Sequence, residues 1–154
     1  MTYEDLLIKS DVEGLIVKEK AIKGNDGRIK GKRIAIRKDL NTTAEKSCVL
    51  AEELGHHYTS SGNILSQSDT MNRKQEYRAR LYGYNLKVGL MGIVRAYENG
   101  CRNIYEMAEF LECTEEYLQE ALSAYHRKYG VCYELDNYII FFEPHLAVLR
   151  KFAV

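Results

Sequence analysis

The chain has 154 residues, 45% of them hydrophobic and 29% charged, with 22 Lys plus Arg against 22 Asp plus Glu. That composition excludes a disordered or fibrous chain and fits one domain, or a compact core with a small appendage. Zero net charge lends no overall support to binding of nucleic acid or anionic membrane, although balance says nothing about how the charges are distributed. The first ten residues lack a basic segment followed by an apolar run, and no stretch reaches bilayer-spanning length. Cys48, Cys101, Cys113 and Cys132 are scattered without a Cys-x-x-Cys pair. Reduced thiols and a cytoplasmic location are therefore expected.

In chain order, Leu6 to Ile8 reads as a short opening helix. Leu15-Ile16-Val17 and Arg33-Ile34-Ala35-Ile36-Arg37 read as strands, and in the second Ile34 and Ile36 alternate with more polar positions, as a half-buried strand requires. Gly24-Asn25-Asp26-Gly27 between them has the chemistry of a hairpin turn. Thr42 with Glu45 three places on predicts a capping box opening a helix. Leu50, Leu54 and Tyr58 would share one face of that helix, and Ser60-Ser61-Gly62-Asn63 would end it.

A second long helix is expected from about Asn72 into the Tyr97 region, then a pair over Asn103 to Leu111 and Glu115 to Tyr129. Thr114 is the N-cap of the last and Gly130 its stop. Val131 to Phe142 predicts two short strands around Asp136-Asn137. The fold class is α+β: a small N-terminal antiparallel sheet packed on a helical core, then a C-terminal helix pair and β-hairpin. Residues 1–100 would form the first region, and 101–154 a C-terminal region packed on the same core.

The stretch that carries chemistry is Leu50-Ala51-Glu52-Glu53-Leu54-Gly55-His56-His57-Tyr58. Glu52 and His56 are four apart, so a helix stacks them within reach of one metal ion, and Glu53 lies one step round. That is the layout of H-E-x-x-H peptidases, two ligands flanking a general-base glutamate, except that Glu52 stands where a histidine is usual. A carboxylate also ligates zinc, but a carboxylate-richer set makes oxygen-preferring metals such as manganese more competitive. Glu76 on the next helix is the candidate third ligand, with Leu81 and Tyr84 spaced to press that helix onto the first. His57 is the rival, although helical neighbours point about 100° apart and rarely share an ion. Charged-face composition alone also produces a Glu-Glu-x-x-His run, and Arg73 to Arg80 also reads as a solvated face.

A strand-rich segment, then Glu-Glu-Leu-Gly-His-His at 52–57, then Lys74-Gln75-Glu76 and Ala79, resembles the ImmA/IrrE family of metallo-endopeptidases, in particular a phage-associated Glu-Glu-Leu-Gly-His variant. The likeness covers residues 14 to 97 and the rest loosely. It implies Glu53 as general base, Glu52, His56 and Glu76 as ligands of zinc or another divalent metal, and His57 or Tyr58 as auxiliary groups at the oxyanion. The implied substrate is a helix-turn-helix repressor of a phage or mobile element, cut to release the genes it silences.

Two other classes remain in view. One is an adaptor, metal-binding or metal-free, that captures a repressor without cutting it. The other is a DNA-binding module built on Asn103 to Tyr129, whose would-be recognition helix opens with Glu115, Glu116 and Glu120 and so meets phosphate with the wrong charge. Direct nucleic-acid binding is therefore not expected. Tyr117, Tyr125, Tyr129, Tyr133 and Tyr138 read as core residues, or as a partner surface.

Overall fold

The computed structural model describes residues 1–60 and 69–152. They form an α+β protein of two compact units, Met1–Lys87 and Val88–Val154. No helix among the described residues is long and apolar enough to cross a membrane.

The first unit opens with α1 (Tyr3–Val12). Thr2 accepts from the Asp5 N–H while the Asp5 carboxylate accepts from the Thr2 N–H, so both orphan donors are satisfied and the helix starts earlier than apolar spacing suggests. Three strands follow, β1 (Ile16–Lys20), β2 (Gly27–Lys30) and β3 (Arg33–Arg37), in the spatial order β1-β3-β2. β3 pairs antiparallel with β2 and parallel with β1, so the sheet is mixed rather than purely antiparallel. The expected turn at residues 24–27 does not close a hairpin between β1 and β3. Residues 21–26 instead carry the chain from one sheet edge to the other, and the tight turn falls at Gly31-Lys32, where Gly31 takes φ +59.

Helix α2 (Thr43–Thr59) is capped by Thr42, whose side chain accepts from the Glu45 N–H. The Glu45 carboxylate reaches the N–H of Asn41, one residue beyond the expected reciprocal partner. The helix ends at Ser60; the expected glycine stop at Gly62 lies outside the described residues. Leu50 and Leu54 are fully buried with Ile34, Ile36, Leu6 and Leu15, and Tyr58 packs against that cluster. Each such aliphatic side chain contributes about 1.5–3 kcal/mol on removal from water.

Helix α3 (Asp69–Lys87) crosses α2 at Gly55. A Cβ there would stand 2.1 Å from the Ala79 carbonyl oxygen and 3.3 Å from the Gly83 nitrogen, so backbone meets backbone. Ala79 and Gly83, rather than Leu81, make the close approach.

The single helix expected from Asn72 to Tyr97 is two. Gly89, at φ +68, breaks it and opens α4 (Leu90–Glu98) in the second unit, its N–H donating to the Tyr125 hydroxyl at 3.2 Å. α5 (Ile104–Leu111) and α6 (Glu115–Tyr129) are capped by Asn103 and Thr114. β4 (Cys132–Leu135) and β5 (Tyr138–Phe141) form the expected hairpin around Asp136 and Asn137, Asp136 taking φ +50. A third strand, β6 (Ala147–Arg150), pairs with β5; four residues after the lone proline gave no strand signal. Tyr117 and Tyr125 are buried, and Tyr129 stacks on Phe142, whereas Tyr133 is exposed.

Gly55→Ala should destabilise the protein by about 1–3 kcal/mol, because overpacking outweighs the ~1 kcal/mol gain in helix propensity. Thermal unfolding measures this; a variant as stable as the parent would show that the two backbones are not in contact.

Candidate metal centre

Glu52 and His56 lie one turn apart on α2, and Glu76 is brought to them from α3 by the crossing at Gly55. All three are half-buried, and one ligand atom from each lies within 4.8 Å of the other two. The His56 Nε2 and Glu76 Oε2 atoms stand 3.7 Å apart, beyond normal hydrogen-bond length. Ligand atoms about 2.0–2.2 Å from a tetrahedral zinc lie roughly 3.4 Å from each other, so the arrangement is slightly open for such an ion. The second Glu76 oxygen accepts from the Arg80 Nε at 3.2 Å, which fixes the carboxylate from its far side.

Glu53 sits one step round the helix, beneath β2. A Cβ on Gly27 would lie 2.5 Å from the Val49 Cγ1 and 2.8 Å from the Glu53 Oε1, so only glycine lets the strand pass so close to this carboxylate. Burial, then the neighbouring charges of Glu52 and Glu76, push the Glu53 carboxyl up to about 7. Three carboxylates therefore converge, with Arg80 beside Glu76. Two carboxylates and an imidazole are a donor set suited to a divalent cation, which would also relieve that repulsion. The group could hold a divalent metal ion.

The remaining sequence candidates are placed differently. His57 is not in the convergent group; its ring meets the Tyr58 ring edge-on at 5.1 Å. Tyr58 lies about 200° round the helix from His56. Its ring stacks on Tyr82 at 4.8 Å, the Lys9 ammonium lies over it, and its hydroxyl is buried without a hydrogen-bond partner among the described residues. Three residues that shape the site were missed. By sequence, Gly27 belongs to a turn, Gly55 has no evident role and Arg80 is part of a charged run. The spacing of Arg80 four residues after Glu76 was the one available signal.

His56→Ala and Glu76→Ala should each weaken divalent-metal binding at least ~10-fold, with folding kept, since both side chains are half-exposed. Elemental mass spectrometry after reconstitution tests this, and metal retained in both variants would exclude these ligands. Comparison of the chain with family models, curated proteins and solved structures gave no match.

Proposed function

We propose that the protein is a metal-dependent endopeptidase of the ImmA/IrrE type that cuts a helix-turn-helix repressor of a phage or mobile element. The observation that carries this reading is the convergence of Glu52, His56 and Glu76 with Glu53 alongside. The Glu-Glu-Leu-Gly-His sequence and the downstream Lys-Gln-Glu support it by resemblance.

Glu53 is the general base. A carboxyl poised near neutrality accepts a proton from water as it attacks the peptide carbonyl, then passes that proton to the departing amine nitrogen. Zinc, or manganese given the carboxylate-rich set, would supply carbonyl polarisation and a more acidic water. Glu52, His56 and Glu76 would hold the ion, and Arg80 keeps the Glu76 carboxylate turned toward it. β2 is an edge strand of its sheet, and Gly27 at its start touches Glu53. Unpaired backbone groups on such an edge accept an extended peptide, which would lay the scissile bond beside the base. Tyr58 packs against the core cluster and stacks on Tyr82, and no step of this mechanism uses it.

A second reading is an adaptor that holds the repressor without cutting it, favoured by Glu52 at the position where a histidine is usual. The metal-loaded protein incubated with helix-turn-helix repressors separates the two. On the peptidase reading, mass spectrometry finds defined fragments, and Glu53→Gln lowers the rate by about 10²–10⁴-fold while metal content is unchanged. Co-purification with an intact repressor would establish the adaptor, and cleavage by Glu53→Gln at the parent rate would remove Glu53 from the mechanism.

A further inference from the structure

The neutral chain conceals a strongly basic segment: between residues 14 and 40 there are nine Lys or Arg and three Asp or Glu. The strand register decides where those cations point. Across the N-terminal sheet, Ile16 aligns with Arg33 and Lys30, Lys18 with Ala35 and Arg28, and Lys20 with Arg37. Alternation places all of these on one face, opposite the face where Val17, Ile29, Ile34 and Ile36 pack toward α2. The acids of the segment all have other partners. Glu19 meets Lys46 and Tyr3 on the inner side, and Asp26 and Asp39 both hold Arg37. Lys18, Lys20, Arg28, Lys30 and Arg33 are exposed, and no ion pair to them occurs among the described residues. With Ile16 and Ala35 they line a pocket of about 220 Å³, below the ~300 Å³ at which drug-sized ligand sites begin.

We propose that this outer sheet face binds the phosphate backbone of duplex DNA. Five cations on one sheet face, with carboxylates only at its Arg37 end, match a polyanion of regular charge. The face has no aromatic residue to stack unpaired bases, as a single-strand site requires. It has no Ser, Thr, Asn or Gln to meet RNA 2′-hydroxyls. It also lacks the aromatic and apolar anchors of a membrane-surface or protein-binding patch, Ile16 being the one exposed large apolar side chain on it. Zero net charge and the acidic start of α6 speak against nucleic-acid binding, and neither bears on this face. The inference stands independently of the metal centre.

The test is fluorescence anisotropy of the full chain with labelled mixed-sequence duplex DNA, alongside single-stranded DNA, duplex RNA and phosphatidylserine vesicles. Five phosphate contacts give a log–log salt slope near −4.5, an affinity loss of about 500-fold between 50 and 200 mM salt. Lys18→Ser, Arg28→Ser and Lys30→Ser combined should reduce the slope to about −2. The charge-conserving combination Lys18→Arg, Arg28→Lys and Lys30→Arg should keep the parent slope. Absence of duplex binding at 50 mM salt would overturn the proposal. So would an unchanged slope in the serine variant, or tighter binding to single strands, duplex RNA or vesicles than to duplex DNA.

Discussion

The crossing of α2 and α3 at Gly55 is the constraint on which the candidate centre depends. A helix pair spaced by ordinary side chains lies 8–10 Å apart, and Gly55 against the backbone of Ala79 brings these two closer. Glu76 reaches Glu52 and His56 only because of that proximity, since its side chain is no longer than theirs. A second glycine acts on the other side of α2, where Gly27 lets β2 ride against Val49 and Glu53. Absent side chains on both flanks thus let the neighbouring backbones close in on the helix where three carboxylates and an imidazole meet.

Charge in the first unit is sorted by the sheet. On its inner side α2 presents Glu52 and Glu53, and burial keeps the Glu53 carboxyl near neutrality by making its charged form costly. On its outer side the strands present five cations without carboxylate partners among the described residues. Period-two alternation produces this separation, because a one-residue register slip would exchange the inner and outer rows. A chain with no net charge therefore carries a concentrated patch of cations on one sheet face and a half-buried group of carboxylates on α2.

Much of the local structure was legible because it rests on short-range chemistry. Thr42 and Thr114 cap their helices through side-chain oxygens placed three residues before the N–H they accept. Ile34 and Ile36 show their burial by alternation, and Leu50 and Leu54 by helical spacing. Asp136 and Asn137 mark the late hairpin through their tolerance of turn geometry. Errors appeared where the deciding contact is remote in sequence. β1 and β3 pair in parallel because the chain crosses the sheet before β2, and no local pattern encodes a crossing. Tyr58 carries the right chemistry for an oxyanion group, yet packing on Tyr82 turns it to the core.

For the site, helical periodicity alone placed Glu52 and His56 together, since i and i+4 positions stack in any α-helix. The sequence by itself likewise determined that Glu53 would stand beside them. Only the tertiary structure decided that Glu76 joins the group, that Arg80 steadies it, and that Gly27 and Gly55 make room for it. Only the strand register gathered the cations of residues 18 to 33 onto one face. Local periodicity fixes directions along one element, whereas distances between elements depend on which backbones can touch, and that is a property of the packed chain.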